Sequence, residues 1–375
     1  MKKWIWEREN YPHFTYNINK LESLIEKISI EQGYLLAMGD VMDSQSIAQR
    51  QLEALESEAM STSAIEGEIL NRDSVKASIQ RKLGFRDLNY NKIDTSTDYL
   101  IDVLMDANTN YEEDLTLERL FGWHNALFPK GYSGFTKINV ADFRGTETME
   151  IVSGIAGRER TYYEAPPRDI LEKEMETFLT WFNETETTLL KAAIAHLWFV
   201  IIHPFDDGNG RITRAITDLV LSSKENSTLS KLYSMSSAIN SDRKGYYSAL
   251  ESTTGYIKKS DKYLDITLWC EWFLKTLHIA LKETRDKLTY IVEKTKFWDK
   301  HKESNLNARQ TKVLNRILDV GVENFLGDLS KKNYIKIADT TSSTASRDIS
   351  ELLELGCIRQ VEGTVGRNIR YIVKI

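Results

Sequence analysis

The residues best suited to chemistry lie in one stretch, His203 to Arg214, which reads H-P-F-D-D-G-N-G-R-I-T-R. Gly208, Asn209 and Gly210 form a turn of the kind that needs positive φ. The apolar residues that follow have helical spacing, so the turn opens a helix. Backbone N–H groups of a glycine-rich turn at a helix N-terminus bind anions, aided by the helix dipole. The stretch therefore predicts a phosphate-binding turn.

Four charged or titratable side chains surround this turn. Arg211 and Arg214 lie three residues apart on the first helical turn, so both guanidinium groups can converge on one polyphosphate. Asp207 supplies a hard oxygen ligand of the kind that Mg²⁺ accepts alongside substrate phosphates. His203 has a pKa suited to proton transfer near neutral pH. A lone histidine before proline is usually structural, but this combination favours a nucleotide site with a base.

The twelve residues match every position of HPFx(D/E)GNGRxxR, the signature of the Fic family, and the chain resembles that family. The resemblance implies a mainly α fold, with a Fic helical core and a small β-hairpin flap. It also implies a protein adenylyltransferase that moves AMP from ATP to a Ser, Thr or Tyr hydroxyl of a target protein. His203 would be the general base and Asp207 the Mg²⁺ ligand.

The same resemblance assigns the phosphate contacts. Gly208, Asn209 and Gly210 would hold the phosphates through backbone N–H groups and the Asn amide. Arg211 would bind the β-phosphate and Arg214 the γ-phosphate.

A second informative stretch, Thr62 to Gly67, lies near a predicted helix end. Gly67 is a natural residue after a helix, and Glu66 is disfavoured there by the helix dipole, which suggests a cationic partner. The stretch resembles the Fic inhibitory motif (S/T)xxxE(G/N), with Thr62, Glu66 and Gly67 in the matching places. That resemblance implies autoinhibition by an ion pair between Glu66 and Arg214. Glu66 could instead be a solvated side chain, or position water for AMP removal.

Two further segments have weaker signals. The β-prone runs Thr148–Val152 and Arg160–Tyr163 predict a hairpin, which in Fic proteins is the flap that pairs with the target as an added strand. A purely structural hairpin is the alternative. Tyr246 and Tyr247 lie beside polar groups and suit adenine stacking, with core packing as the alternative.

The chain is expected to have three regions. Residues 1–95 form an N-terminal helical region with the inhibitory motif, 96–298 the Fic catalytic domain and 306–375 a winged helix-turn-helix domain. This last region has eleven Lys and Arg against eight Asp and Glu, a balance of about +3. Ser342, Ser343, Thr344, Ser346 and Arg347 could contact DNA, although winged helices also bind proteins.

Composition limits the function classes. The 375 residues are 41% hydrophobic and 28% charged, as in globular proteins, and the net charge of −6 argues against a nucleic-acid-coating surface. Two separate cysteines and the absence of an apolar leader predict a soluble cytoplasmic protein. A different nucleotide donor, a nucleotide-sensing regulator, self-modification and a homodimer remain open alternatives.

Overall fold

The computed structural model describes residues 4–42, 44–85, 93–153, 160–225, 232–255 and 264–375. It divides into two compact units, Met1–Lys282 and Glu283–Ile375. Over the described residues the fold is mainly helical, with three two-stranded antiparallel sheets, which confirms the predicted fold class. None of the described helices has the length and apolar character needed to cross a bilayer.

The first unit contains ten complete helices among its described residues. They are α1 (Ile18–Val41), α2 (Ser44–Ile65), α3 (Arg72–Lys82), α4 (Thr95–Thr109), α5 (Leu117–Leu127), α6 (Leu171–Glu184), α7 (Leu189–Ile202), α8 (Asn209–Glu225), α9 (Met235–Ser241) and α10 (Arg243–Thr254). Helix α11 (Thr267–Lys300) runs through the boundary between the units.

Helix α7 is the centre of the first unit. The side chain of Thr188 caps its N-terminus by accepting a hydrogen bond from the N–H of Lys191 at 3.0 Å. All but one of its fourteen residues are buried, as expected of a helix that is apolar on all sides. It packs against α8, and the chain between the two helices is the predicted phosphate-binding turn. The site is thus held between two core helices.

Helix α2 carries the predicted inhibitory motif and packs on α8 and α9. The carboxylate of Glu58, which is 4% exposed, accepts hydrogen bonds from Ser234 Oγ at 2.7 Å and Ser236 N at 3.0 Å. The helix end predicted near Thr62 to Gly67 is confirmed, since α2 ends at Ile65. Helices α2 and α8 pack together within the first unit, and the predicted region boundary at residue 95 stays a prediction.

The strands are short. They are β1 (Tyr132–Ser133), β2 (Thr136–Lys137), β3 (Glu150–Ser153), β4 (Arg160–Glu164), β5 (Ile358–Gln360) and β6 (Tyr371–Val373). The predicted flap hairpin is β3–β4, antiparallel, with an irregularity between Ile151 and Val152. Tyr163 on β4 anchors it by donating a hydrogen bond to the carbonyl of Ile201 on α7 at 2.7 Å. The predicted flap loop, 154–159, lies outside the described residues.

The second unit, Glu283–Ile375, combines helices with one hairpin. It has the helices α12 (Ala308–Val320), α13 (Lys331–Ala338) and α14 (Ser342–Glu354), followed by the β5–β6 hairpin. Phe297 packs in the core of this unit with Leu314 and Leu352, so the unit begins earlier than the predicted boundary at 298–306. Ser342, Ser343, Ser346 and Arg347 are exposed on α14. DNA binding by this unit stays a prediction.

Candidate active site

His203 ends α7 with its backbone in the left-handed region, at φ +50°. Such a conformation costs a residue other than glycine about 1–3 kcal/mol, so the surroundings must hold it. Arg144 does so, since its Nε donates to the carbonyl of His203 at 2.9 Å and its backbone N–H donates to the carbonyl of Pro204 at 2.9 Å. Its Nη2 also donates to the carbonyl of Pro166.

The imidazole of His203 is poised as a proton acceptor. Nδ1 lies 3.3 Å from the carbonyl oxygen of Val200, and because a carbonyl only accepts, Nδ1 carries the hydrogen. Nε2 is therefore the nitrogen with the lone pair. Burial lowers the pKa of His203 to about 4, so the ring is neutral at pH 7. A neutral imidazole with Nε2 available is what a general base requires.

The side chain of Asn209 fixes the turn itself. Its Oδ1 accepts from the N–H of Phe205 at 3.0 Å, and its Nδ2 donates to the carbonyl of Phe205 at 2.8 Å. Both ends of the amide are thus used within the loop. The predicted phosphate contact of this amide stays a prediction, since the two bonds to Phe205 use one of its two N–H groups and one lone pair.

The turn nevertheless presents the backbone donors that the sequence predicts. Helix α8 begins at Asn209, and its first backbone bond runs from the N–H of Ile212 to the carbonyl of Gly208 at 3.0 Å. The N–H groups of Asn209, Gly210 and Arg211 therefore have no partner within the helix. Gly208 has φ +83°, and a Cβ there would lie 2.8 Å from the ring of Phe128. Glycine is required at this position.

The two adjacent aspartates have different roles. Asp206 is structural, because its carboxylate accepts from the backbone N–H groups of Asn139 at 2.8 Å and Gly145 at 3.2 Å. Asp207, the predicted metal ligand, accepts from the hydroxyl of Ser133 and from the N–H of Gly208 at 2.5 Å. Its carboxylate lies on the loop between the base and the arginines, which is the position the prediction needs.

The predicted pairing of Glu66 with Arg214 is present. Arg214 is 1% exposed, and its Nη2 donates to Glu66 Oε1 at 2.8 Å and to the carbonyl of Thr62 at 2.9 Å. Its Nε donates to the hydroxyl of Thr62 at 2.6 Å. Nη1 is buried and has no hydrogen-bond partner among the described residues. Thr62 and Glu66 together use most of the donor capacity of this guanidinium.

The carboxylate of Glu66 also lies against the first turn of α8. A Cβ on Gly210 would come within 2.1 Å of Glu66 Oε1, so only glycine permits this approach. Gly67, at φ +84°, turns the chain after α2. The carboxylate thus lies at a helix N-terminus beside N–H groups that have no partner within the helix, which is where an anionic phosphate would be stabilised.

A second ion pair was not predicted. Nη1 of Arg211 lies 2.9 Å from Oε2 and 3.1 Å from Oε1 of Glu68, two residues beyond Glu66. The guanidinium is stacked over the ring of Phe128, with Cζ 4.9 Å from the ring centroid. Both arginines of the signature are therefore paired with carboxylates of one short segment.

The two predicted adenine contacts differ in the structure. Tyr246 is 3% exposed and its hydroxyl bonds Nε2 of His196 at 3.0 Å, so core packing, the alternative interpretation, describes it. Tyr247 is half-buried, and its hydroxyl donates to the carbonyl of Ile65 at the end of α2, at 3.4 Å. Arg243 donates to the neighbouring carbonyl of Ala64 at 3.1 Å. The side chains of Tyr247 and Arg243 thus hold the C-terminal end of α2, directly before Glu66.

Several residues that shape the site were missed by the sequence analysis. They are Glu68, His124, Ser133, Arg144 and Asp206. His124 accepts from the N–H of Ala141 at 3.3 Å, which leaves Nε2–H to donate to the carbonyl of Asp207 at 3.1 Å. Burial lowers its pKa to about 4. Asp206 occupies the variable position of the signature, and the other four bond residues that are far from them in sequence.

Acidification is expected to destabilise the first unit through His196. Thr217 donates its hydroxyl to the carbonyl of Thr213 at 2.9 Å, so it accepts from Nδ1–H of His196 at 2.9 Å. Burial, with the nearby charge of Arg214, lowers the His196 pKa from 6.5 to about 3. As the pH falls, the unfolded chain binds this proton at a higher pH than the folded chain does. The contribution of His196 to the free energy of unfolding is therefore complete above pH 6.5 and declines by up to about 1.4 kcal/mol per pH unit below it.

Chemical unfolding between pH 7 and pH 4.5 measures this dependence. The variant His196→Gln keeps a polar side chain without the titration, and its free energy of unfolding should fall less steeply over the same range. Equal slopes for the two proteins would contradict the assignment to His196.

Two family models match parts of this chain. The pattern that defines the Fic/DOC family matches residues 114–221, and a domain of unknown function (DUF4172) matches residues 4–85. The chain is 25% identical over 170 residues to a protein adenylyltransferase Fic from Nematostella vectensis, which covers 43% of this chain and 36% of that protein. It is 34% identical over 77 residues to protein adenylyltransferase fic-1 of Caenorhabditis elegans, covering 18% and 15% respectively. The chain thus spans about a third or less of these relatives.

The fold has a counterpart among solved structures. A Fic family protein from Desulfovibrio desulfuricans aligns over 94% of this chain and 96% of its own, with a TM-score of 0.51 and 20% identity. At that identity the similarity establishes the fold alone. Residues 114–221 of this chain match the model of the Fic/DOC family, and the loop from His203 to Arg214 lies within the matched region.

Proposed function

We propose that this protein is an adenylyltransferase that transfers AMP from ATP to a hydroxyl of a target protein, and that Glu66 inhibits it. One observation carries the proposal. The loop that begins at His203 and the first turn of α8 bring together a neutral imidazole, the carboxylate of Asp207, backbone N–H groups with no partner within the helix, and two buried arginines. The relatives named as adenylyltransferases support the choice of reaction. The target protein is unidentified, and self-modification is one form of the reaction.

The phosphates of ATP would bind the first turn of α8. The unpaired N–H groups of Asn209, Gly210 and Arg211 suit the phosphate oxygens, with the helix dipole adding to the attraction. Arg211 would bind the β-phosphate and Arg214 the γ-phosphate through charge-assisted hydrogen bonds. Nη1 of Arg214 is buried and has no hydrogen-bond partner among the described residues. Because a buried donor without a partner costs free energy, an anion that accepts from Nη1 would stabilise this group.

Nε2 of His203 would remove the proton from the incoming hydroxyl as its oxygen attacks the α-phosphorus. The bond from that phosphorus to the bridging oxygen of pyrophosphate breaks, and the negative charge leaves with the pyrophosphate. Nδ1–H stays bonded to the carbonyl of Val200 and keeps the ring oriented. Arg144 keeps the backbone of His203 in place for this step.

Asp207 fits a Mg²⁺ ion that arrives with the nucleotide. Among the described residues no cluster of three or more His, Cys, Asp or Glu forms a metal cage. One carboxylate is nonetheless a typical protein contribution for Mg²⁺, which takes its other ligands from phosphates and water. When bound, the ion neutralises charge on the phosphates. Ser133 holds the carboxylate of Asp207 in position.

The inhibition follows from competition for one buried guanidinium. While Glu66 binds Arg214, the γ-phosphate lacks its cation, and the carboxylate also lies by the helix N-terminus that the phosphates need. Like charges at the same place repel, so ATP would bind weakly or with its α-phosphate misplaced. The same carboxylate could position water for AMP removal.

A donor panel tests the proposed reaction. The Glu66→Gly variant is incubated with Mg²⁺ and each of ATP, GTP, CTP and UTP labelled at the α-phosphate, and covalently bound label is counted. We expect label from ATP above the other three. Label from another nucleotide would reassign the donor, and the absence of label with all four, together with nucleotide binding, would favour a sensor without transferase activity.

A further inference from the structure

The contact between Glu68 and Arg211 is as well formed as the inhibitory pair. Both carboxylate oxygens of Glu68 lie within 3.1 Å of Nη1 of Arg211. Arg211 is 6% exposed, and its Nε is buried without a hydrogen-bond partner among the described residues. Phe128 covers the guanidinium. A cation with so little access to water depends on Glu68 for the pairing of its charge.

One turn of the chain delivers both carboxylates. After α2 ends at Ile65, the N–H groups of Glu66 and Glu68 donate to the carbonyl of Ser63 at 3.1 Å and 2.9 Å, and Gly67 supplies the left-handed residue between them. Glu66 then meets Arg214 and Glu68 meets Arg211. One turn of the chain therefore places each of the two glutamates against one of the two arginines.

We propose that Glu68 sets the affinity of this site for the β-phosphate of a nucleotide, separately from the action of Glu66 at the γ-phosphate. The proposal rests on the proposed function, which assigns the β-phosphate to Arg211 and the γ-phosphate to Arg214. Each glutamate contacts one arginine, so each removes the cation for one phosphate. The two carboxylates thus distinguish nucleotides by the number of phosphates.

This division has a consequence for binding. Removing the charge of Glu68 frees Arg211 to bind the β-phosphate, which both ADP and ATP have. Removing the charge of Glu66 frees Arg214 to bind the γ-phosphate, which only ATP has. AMP reaches neither. The side chain of Glu68 is 46% exposed, so solvent screens its ion pair and limits the effect to about twofold to fivefold.

The test measures dissociation constants for AMP, ADP and ATP with Mg²⁺ by isothermal titration calorimetry on the full chain. Every protein carries His203→Ala, which prevents turnover. The variants are Glu68→Gln, Glu66→Gln and the pair combined. Glu172→Gln is the control, because Glu172 makes a comparable ion pair with Arg168 on the surface of the same unit. Thermal unfolding of each variant verifies that it is folded.

We expect Glu68→Gln to tighten ADP and ATP by the same factor and to leave AMP unchanged. Glu66→Gln should tighten ATP more than ADP. If Glu66→Gln tightens ATP while Glu68→Gln changes nothing, or tightens ATP alone, the role of Glu68 is refuted and the proposed function stands. If none of the variants binds a nucleotide, the proposed function fails and the inference fails with it.

Discussion

Replacement of Glu66 by glycine is expected to raise the rate of AMP transfer by roughly 10-fold to 100-fold. The buried Arg214 then loses its carboxylate partner, and the γ-phosphate of ATP can take its place. A charge-assisted hydrogen bond of this kind is worth about 1.5–3 kcal/mol, and each 1.4 kcal/mol corresponds to a factor of ten. The measurement is the initial rate of label transfer from ATP at a concentration below saturation.

The variant Glu66→Gln separates charge from size. It keeps the volume of the side chain beside Gly210 but removes the negative charge, so an intermediate rate is expected. If Glu66→Gly and the unmodified chain transfer AMP at the same rate, Glu66 does not restrain the site.

Replacement of Arg144 by methionine is expected to have the largest effect on stability. Arg144 is 2% exposed, and its side chain donates hydrogen bonds to the carbonyls of His203 and Pro166. These bonds hold the backbone of His203 in its left-handed conformation. Methionine fills similar space but leaves these carbonyls without a donor, at a cost of about 2–4 kcal/mol. Chemical unfolding measures the loss, and the transfer rate should fall with it because Nε2 of His203 shifts.

A nearby surface arginine provides the control for this variant. Arg168 lies over the ring of Phe143 and pairs with Glu172 on the exposed side of α6. Arg168→Met should cost less than about 1 kcal/mol, as is usual for exposed ion pairs. Equal losses in the two variants would show that Arg144 has no special role in holding His203.

The parts of the site that were predictable are local in sequence. The turn, the start of α8 and the position of Arg214 follow from glycines and arginines at fixed spacing, and α2 brings Glu66 to Arg214 as the second motif implied. In these cases neighbouring residues determine both the geometry and the chemistry.

The parts that were not predictable depend on contacts between distant segments. Arg144 lies 59 residues from the carbonyl of His203 that it binds, and Glu68 lies 143 residues from Arg211. The amide of Asn209 was assigned to phosphate, yet the loop uses both of its polar atoms. Tyr246 was proposed to stack on adenine, yet His196 binds its hydroxyl in the core. Residue type alone does not distinguish these uses.

One measurement tests the central claim most directly. The Glu66→Gly variant and the double variant Glu66→Gly/His203→Ala are each incubated with ATP and Mg²⁺, and the intact masses and modified peptides are determined by mass spectrometry. The account predicts that the first protein gains the mass of AMP at a Ser, Thr or Tyr hydroxyl, on itself or on an added target, and that the second does not. Equal modification of both proteins would contradict the role of His203 as the base, and no modification of either would contradict adenylyl transfer.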